Sequence, residues 1–352
     1  MADIKEMRIK KLRKALKKNK MDSILITDLK NVFYYSGYTG TSAYLIISLE
    51  DLYLITDFRY TTQCKEQCPL FKIIDFKETD VKSICSKFFA TGFENLSIGY
   101  NQYINYCKMF KNLLPVNDMI LRFRAKKSID EVKSIKKAVK IADDAFLHIL
   151  KFAKCGVTEI EIANEIDFFM KRKGASSNSF DTICASGARG ALPHAFPTSK
   201  KLEYGDLVVL DFGCVYRGYC SDITRTFAVG DIDKDKKKVY DTVLYAQKTA
   251  LEAVKKGNKC SDIHNIAQNI IEKDYKGMFG HSLGHSVGLD IHENPNLSPK
   301  NDKVLETGNV VTVEPGIYIP DFCGVRIEDL VYVSKNETHI LTNSPKELLY
   351  VE

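Results

Sequence analysis

Two segments of the chain carry a carboxylate at the end of an apolar run. Residues 202–213 read LEYGDLVVLDFG and residues 305–316 read LETGNVVTVEPG, so Asp211 in the first segment corresponds to Glu314 in the second. A carboxylate at the buried end of a strand costs free energy unless a positive group meets it. Two related segments that each deliver one carboxylate indicate a shared site near a pseudo-twofold axis. A metal ion is the simplest positive partner for several buried carboxylates.

The residues after Asp211 predict a β-hairpin that brings a second carboxylate to the same face. If Arg217–Gly218 forms a two-residue turn, Asp211 lies opposite Thr224. Side chains alternate between the faces of a strand, so Asp222 shares the face of Thr224 and lies diagonally across from Asp211. Two carboxylates at this distance repel each other unless a cation lies between them. A bulge in the hairpin would change this register, and the sequence leaves that alternative open.

The second segment is followed by a similar pair of polar residues. Glu328 comes after GVRI, and Arg326 lies two residues before it on the same predicted strand face. We expect Arg326 to orient Glu328 or to bind substrate. Four carboxylates alone would suit Mg²⁺ or Ca²⁺. A histidine among them shifts the preference towards manganese, cobalt, iron or zinc.

Histidines are concentrated in one short stretch. Residues 281–293 read HSLGHSVGLDIHE and contain His281, His285 and His292, which are three of the seven histidines in the chain. The stretch lacks the H-E-x-x-H pattern of a zinc-binding helix, and its glycines interrupt a helix and allow the backbone to approach a ligand. His194 lies in ALPHAF, a predicted loop. Beside four carboxylates carried by strands, this cluster predicts metal ligation and catalysis.

The elements that position these residues form a repeat. Apolar spacing predicts helices over 129–153, 158–173, 239–255 and 261–275, and the second of them opens with a capping box. Equivalent positions are 103 residues apart, as in Thr158 and Ser261 or Gly174 and Gly277. A constant offset over about a hundred residues predicts a duplicated unit. We expect the two copies to form one sheet with helices packed on one face.

The first 123 residues predict a separate α/β unit. We expect a helix over 4–20, strands at 21–27, 43–49, 51–56 and 96–100, a loop over 31–41, and helices over 81–89 and 103–114. The strands at 43–49 and 51–56 are close enough in sequence to form a hairpin. No catalytic pattern stands out in this unit.

The composition excludes several classes of protein. The 352 residues carry a net charge of +6 with acidic and basic residues interleaved, which does not favour a nucleic-acid partner. No apolar run approaches the roughly 20 residues that span a bilayer, so we expect no membrane partner. The N-terminus lacks the pattern of a signal peptide, and the ten cysteines include no C-x-x-C pair. These features predict a cytoplasmic protein with reduced thiols.

The candidate residues stand in an ordered series of motifs. Asp211, Asp222, His285, Glu314 and Glu328 lie in LDFG, YCSDITRTF, HSLGHSVGLDIHE, VEPGIY and GVRIED. This series resembles the complete ligand set of the pita-bread metallopeptidases, and it is most similar to the branch of the Xaa-Pro aminopeptidases and prolidases (Xaa-Pro dipeptidases). The resemblance implies an α/β (α+β) fold. A creatinase/prolidase-like accessory domain would cover 1–123, and a catalytic pita-bread domain with an internal pseudo-twofold repeat would cover 124–352.

The resemblance also implies a dinuclear metal centre and its ligands. Two divalent ions would be held about 3.5 Å apart, with manganese the first choice and cobalt, zinc or iron as alternatives. Asp222 and Glu328 would bridge the ions, Asp211 would bind one of them, and His285 and Glu314 would bind the other. A hydroxide between the ions would be the nucleophile.

Further roles follow from the same resemblance. Glu314 would also move a proton to the leaving proline nitrogen, and His292 and His194 would stabilise the tetrahedral intermediate and position the substrate carbonyl. His281 and Arg326 would bind substrate or support the ligands. The substrate would be a proline-containing peptide, and the chain would form a homodimer. The preference for proline rests on the resemblance alone.

Several functions remain open at this stage. Prolidases hold the free carboxylate of a dipeptide with a cation, and several carry an arginine shortly after the last histidine of the motif. Here the stretch HENPNLSP has Asn294 and Asn296 instead, which favours an aminopeptidase that accepts longer peptides, with a dipeptidase as the alternative. A non-catalytic peptide-binding homologue, a metal-free hydrolase of guanidino compounds and a methionine aminopeptidase are the other hypotheses. The complete ligand set argues against the first two and the N-terminal unit against the third.

Overall fold

The chain folds into two units, which the computed structural model of the protein describes over residues 4–116 and 118–352. The first unit is Met1–Ile120 and the second is Leu121–Glu352. Both are mixtures of helices and strands. Among the described residues, no helix combines the length and the apolar character needed to cross a bilayer.

A mixed sheet is the centre of the first unit. Its strands follow the order β4-β3-β2-β1-β5-β6. They are β1 (Ser23–Ile26), β2 (Tyr44–Ser48), β3 (Leu52–Thr56), β4 (Lys72–Asp75), β5 (Thr91–Phe93) and β6 (Leu113–Pro115). The helices are α1 (Ile4–Lys18), α2 (Leu29–Ser36), α3 (Thr61–Gln67), α4 (Val81–Cys85) and α5 (Tyr100–Cys107), and α6 (Met119–Arg124) follows at the division between the units. The predicted hairpin is confirmed, because β2 and β3 pair in antiparallel fashion.

Three predictions for this unit were wrong. Residues 31–41 were expected to form a loop, yet most of them lie in or next to α2, which Asp28 caps by accepting hydrogen bonds from two backbone N–H groups. Gly37, with φ of 82°, ends this helix in the left-handed conformation. Residues 96–100 are not a strand, because the buried strand is Thr91–Phe93 and α5 already begins at Tyr100. The helix expected over 103–114 ends at Cys107, and Leu113–Pro115 pairs with β5.

The second unit contains two pairs of helices and two main sheets. The helices are α7 (Ile129–Phe152), α8 (Glu159–Arg172), α9 (Lys234–Ala253) and α10 (Cys260–Ile271). One sheet has the order β20-β12-β9-β8, from β8 (Ile183–Ser186), β9 (Leu207–Phe212), β12 (Ile223–Val229) and β20 (Tyr350–Val351). The other has the order β14-β13-β15-β18-β19, from β13 (Gly284–Ser286), β14 (Glu293–Leu297), β15 (Val310–Val313), β18 (Asp329–Val333) and β19 (Thr338–Ile340). Smaller ladders join β7 (Ser177–Asn178), β10 (Cys214–Tyr216) and β11 (Tyr219–Cys220), and pair β16 (Gly316–Ile319) with β17 (Cys323–Arg326).

The repeat is present in the structure, although its offset is not constant. Gly205 and Gly308 take the same left-handed turn, with φ of 91° and 99°, before β9 and β15, and they are 103 residues apart. At the start of the second helix of each copy, the backbone N–H groups of Gly156 and Gly257 donate to equivalent carbonyls of Leu202 and Leu305. These glycines are only 101 residues apart. The predicted equivalence of Thr158 with Ser261 is therefore wrong by two residues.

The two copies build two sheets and not the single sheet that we expected. The helices α7 and α8 pack on the strands of the first copy, and α9 and α10 pack mainly on those of the second, so each copy has its own apolar core. The sheets meet where the backbone N–H of Glu328 donates to the carbonyl of Thr224 at 3.1 Å. This seam lies at the carboxylates that the sequence singled out.

Candidate metal centre

The first hairpin has the turn and the register that the sequence predicted. Arg217 and Gly218 both have positive φ, 50° and 83°, as a two-residue turn of this type requires. Tyr216 faces Tyr219, and Asp211 faces Thr224. The register is the same on both sides of the interruption between β9 and β10, so the bulge that the sequence left open does not occur. Asp211 thus has its side chain on the face that Asp222 shares.

The five acidic and imidazole groups predicted as ligands converge in one place. Oxygen atoms of Asp211, Asp222 and Glu328 lie within 4.8 Å of one another, and all three residues are buried. The Nε2 atom of His285 lies 3.5 Å from Oδ2 of Asp222 and 3.3 Å from Oε1 of Glu314. Asp211 and Asp222 come from the first copy, and the other three come from the second. The pseudo-twofold seam therefore brings together residues up to 117 positions apart in the chain.

The electrostatics of this cluster favour a cation. Burial raises the pKa of Asp222 well above its usual value, and the charges of Glu328 and Asp211 raise it further. Burial and the charges of Glu314 and Asp211 likewise raise the pKa of Glu328. Among the described residues, Oδ1 of Asp211 and Oε1 of Glu328 are buried without a hydrogen-bond partner. Buried acceptors that lack a donor, in a set of four carboxylates and one imidazole, fit divalent metal ions.

His285 and Glu314 form the best-paired part of the cluster. Burial alone would lower the pKa of His285, but the hydrogen bond and charge of Glu314 outweigh it and raise that pKa. Burial opposes ionisation of Glu314, yet the hydrogen bond and charge of His285 lower its pKa to about 2. Thr312 holds both residues, since its Oγ1 donates to Glu314 at 3.0 Å and accepts from the backbone N–H of His285 at 2.9 Å. We did not identify Thr312 from the sequence, although it lies two residues before Glu314.

Arg326 contacts a different carboxylate from the one expected. Its Nη2 donates to Oδ2 of Asp211 at 2.6 Å, and its Nε donates to Oγ1 of Thr224 at 3.1 Å. Thr224 in turn donates to Glu328 at 2.9 Å, so Arg326 reaches Glu328 only through this hydroxyl. Its Nη1 also donates to the hydroxyl of Tyr318 at 2.9 Å. The sequence carried no signal for Tyr318, which reaches the site from the hairpin β16–β17.

The remaining histidines surround the cluster. The ring of His292 contacts the ring of His285 edge to face, with centroids 4.4 Å apart. His281 shares a hydrogen bond of 2.9 Å with the hydroxyl of Tyr318. His194 is exposed in the loop before β9. All of them line a cavity of about 660 Å³, which is within the usual size range of small-molecule sites, together with Phe180, Phe196, Ile291, Asn294 and Asn296.

A buried carboxylate anchors the loop that carries His194. Glu159, the first residue of α8, accepts hydrogen bonds from the backbone N–H groups of Ser186 at 2.8 Å and Thr198 at 3.0 Å. It also accepts from the guanidinium of Arg189 at 3.1 Å. Glu159 therefore ties down both ends of the loop. From the sequence it looked like an ordinary residue in the first turn of a helix.

Comparison with known proteins decides the family. A model of metallopeptidase family M24 matches residues 133–335, which is more than half of the chain. The chain belongs to this family. Residues 8–126 of this metallopeptidase match the creatinase/prolidase N-terminal domain. The family depends on two metal ions, and the buried acidic cluster lies within the matched residues.

Relatives of this metallopeptidase cover nearly its whole length. A Xaa-Pro dipeptidase of Pyrococcus horikoshii is 39% identical over 99% of this chain and 100% of its own length. The solved structure of a Xaa-Pro dipeptidase from Bacillus anthracis is 41% identical, with a TM-score of 0.95 over 99% of this chain and 100% of that one. The structure of an X-Pro aminopeptidase from Thermotoga maritima is 36% identical, with a TM-score of 0.89 over 94% of this chain and 98% of that one. The α/β pita-bread fold expected from the sequence is confirmed.

Proposed function

We propose that this metallopeptidase hydrolyses the bond between an N-terminal residue and proline, with dipeptides as its main substrates. The observation that carries the proposal is the convergence of four carboxylates and one imidazole at the edge of a cavity of about 660 Å³. The names of the relatives support the choice of dipeptides, since two of the three described above are Xaa-Pro dipeptidases. This choice reverses the order of preference reached from the sequence.

Cleavage of longer peptides is the second candidate function. Asn294 and Asn296 line the cavity, and neither can hold a free carboxylate as an arginine does. Phe196 lines the cavity and is 72% exposed, so the cavity reaches the surface at this residue and a longer peptide would extend past it. One of the similar structures is an X-Pro aminopeptidase.

The proposed ligands are those named from the sequence. Asp211, Asp222, His285, Glu314 and Glu328 would hold two divalent ions, with Asp222 and Glu328 shared between them. Manganese is the first choice for a carboxylate-rich set with one imidazole. When bound, the ions would supply the Lewis acidity that activates water and polarises the scissile carbonyl. The homodimer and the cytoplasmic location remain predictions.

The surrounding residues would bind the substrate and move a proton. Glu314 would accept a proton from the attacking water and donate it to the proline nitrogen, which has no hydrogen of its own in the substrate. The low pKa of Glu314 depends on a protonated His285. An imidazole that binds a metal ion is unprotonated, so His285 would not lower the pKa of Glu314 in this way when the metal ions are bound. His194 and His292 would donate to the oxygen on which negative charge develops. Phe180 and Ile291 offer the apolar surface that a proline ring requires.

A direct assay tests the substrate and its length. The purified protein, freed of metal and then supplied with Mn²⁺, is incubated with Ala-Pro, Ala-Pro-Leu and Ala-Ala-Leu. We expect kcat/KM to be highest for Ala-Pro and lowest for Ala-Ala-Leu. A preference for Ala-Pro-Leu would select the aminopeptidase, and equal turnover of Ala-Ala-Leu would exclude proline specificity.

Substitutions test the residue roles separately. Asp222→Ala and Glu328→Ala should each abolish metal binding and activity together, measured by elemental analysis after dialysis. His292→Ala should lower kcat by roughly 10²-fold or more while the metal content stays at two ions per chain. Two retained ions in Asp222→Ala would refute the shared ligand, and metal loss in His292→Ala would show that His292 is a ligand.

A further inference from the structure

The loop that leads to His292 is folded around a single carboxylate. Glu293 lies next to His292, and its Oε1 accepts hydrogen bonds from the backbone N–H groups of Leu289 at 3.0 Å and Asp290 at 3.2 Å. The loop passes so close that a Cβ atom on Gly288 would lie 2.6 Å from the carboxylate oxygens. The position of this carboxylate therefore decides the path of the backbone that carries His292.

Two cations from a distant segment hold this carboxylate. Arg124, the last residue of α6, donates to Oε1 of Glu293 and also to Asp290. Lys127, just before α7, donates from Nζ to Oε2 of Glu293 at 3.0 Å and to Oγ of Ser286 at 2.8 Å. The side chains of Arg124 and Lys127 are only 2% and 1% exposed. Both ends of the loop, next to His285 and next to His292, are thus tied to the same short segment.

The two cations keep the buried Glu293 carboxylate ionised. Burial opposes ionisation of Glu293, but the charges of Lys127 and Arg124 outweigh it and lower its pKa to about 2. The carboxylate is therefore ionised at neutral pH. Removing one partner of a buried ion pair leaves a charge that must find another donor or draw in water, so the loop has to rearrange.

We propose that Arg124 and Lys127 are positioning residues that hold His292 in its catalytic place through Glu293. Both lie outside residues 133–335, which match the metallopeptidase family, and Arg124 lies within residues 8–126, which match the accessory domain. Lys127 lies between the two matched regions, so a residue of each of these two parts of the chain supports the loop of the catalytic domain. The inference rests on the role proposed for His292.

Two neighbouring lysines provide a matched test. Lys127 is buried against Glu293, whereas the side chain of Lys126 is 46% exposed and pairs with Glu306 at the surface. In the full-length, Mn²⁺-loaded protein, Lys127→Met should lower kcat for Ala-Pro by roughly 10- to 100-fold. KM and metal content should stay unchanged, and Lys126→Met should match the wild type. Hydrogen exchange at the amides of Leu289 and Asp290 should accelerate in Lys127→Met alone.

A second background shows whether Lys127 acts through His292. If it does, adding Lys127→Met to His292→Ala should cause no further loss of kcat, because the loop then has no catalytic group left to position. If Lys127→Met lowers kcat as much in the His292→Ala background as in the wild type, the proposal is wrong. Loss of metal in Lys127→Met would also overturn it, since Lys127 would then act on the metal ligand His285 through Ser286. If His292→Ala itself keeps full activity, the proposed function of His292 fails, and hydrogen exchange at Leu289 and Asp290 still reports whether Lys127 anchors the loop.

A double variant tests the proposal even if Lys127→Met does not fold. Lys127→Met combined with Glu293→Gln leaves no unpaired carboxylate, so this double variant should fold even if Lys127→Met does not. Its kcat should remain low, because the amide cannot hold the loop as the ion pair does. Wild-type kcat in the double variant would refute the positioning role. Lys127→Arg, which keeps the charge, should recover part of the activity.

Discussion

The surplus of buried carboxylates predicts that one ligand substitution stabilises the metal-free protein. Asp222→Asn keeps the shape of the side chain and removes its charge. Asp222 is buried, and the charges of Glu328 and Asp211 raise its pKa. If no cation is present, the wild-type protein must therefore either protonate the cluster or bear its repulsion. The neutral amide introduced by Asp222→Asn removes the need for either.

The size of the effect follows from the distances. The ligand oxygens of Asp211, Asp222 and Glu328 lie within 4.8 Å of one another. At an effective dielectric constant of about 20, each ionised pair at that distance repels by about 3.5 kcal/mol. Protonation of one carboxylate relieves part of this repulsion, so we expect Asp222→Asn to stabilise the metal-free protein by about 1–3 kcal/mol at pH 8.

The stability of the metal-free wild-type protein should decrease with increasing pH. The pKa of Asp222 is raised above 3.8 in the folded protein, so the folded form binds more protons than the unfolded form, and stability falls as pH rises. The advantage of Asp222→Asn should therefore be absent below about pH 4 and increase above it. Each kcal/mol corresponds to about 2–4 °C in Tm. The chain has no tryptophan, so far-UV circular dichroism in EDTA is the suitable probe.

Metal should reverse the order of stability. Manganese at a thousand times its Kd stabilises a folded protein by about 4 kcal/mol for each site, and Asp222→Asn should lose most of this gain. The matched control is Asp143→Asn, since Asp143 is buried but accepts hydrogen bonds from Asn343 and Ser344. That variant should be less stable than the wild type with and without metal. If Asp222→Asn is also less stable than the wild type in EDTA, the carboxylates of the cluster are already stabilised by their protein neighbours and the reasoning fails.

Three further predictions concern the supports of the site. Glu293→Gln should cost about 3 kcal/mol of unfolding free energy at pH 7, because the pKa of the carboxyl falls from 4.5 to about 2. The stabilisation by the Glu293 carboxylate is complete above pH 4.5 and disappears towards pH 2. Urea titrations should therefore show a smaller difference in unfolding free energy between Glu293→Gln and the wild type in acid, and a difference that does not shrink would contradict this account. Glu159→Gln should lower kcat and expose the His194 loop to proteases, whereas Glu161→Gln at the same helix end should not; equal effects would mean that only the helix cap matters. Gly324→Ala should lower Tm, because its Cβ would lie 1.7 Å from the carbonyl oxygen of Gly190, and an unchanged Tm would rule out that close approach.

Local signals predicted some elements and missed others. The turn at Arg217–Gly218 and the register that follows from it were correct, because a two-residue turn specifies every pair along a hairpin. The helix α2 was missed, since the Tyr, Ser and Gly content of residues 31–41 suggested a loop and the cap at Asp28 was not considered. The strand expected at 96–100 was misplaced, because the apolar spacing there belongs to a turn and the start of α5.

Contacts between distant segments were beyond the reach of the sequence pattern. We expected Arg326 to orient Glu328 because they are two residues apart, whereas the seam between the two sheets places Arg326 against Asp211. Arg124 and Lys127 carried no signal at all. Their partner lies more than 160 positions along the chain, and only packing of the second unit brings them together.

The sequence by itself determined which groups we propose as metal ligands and how the first hairpin places Asp211 and Asp222 on one face, because ligand chemistry, strand alternation and turn geometry act over a few residues. Only the tertiary structure decided which carboxylate receives the guanidinium, which acceptors stay without a donor, and which buried cations hold the loop of His292. These are properties of burial and of distances through space. No pattern along the chain encodes them locally, because each depends on where two sheets and a remote segment meet.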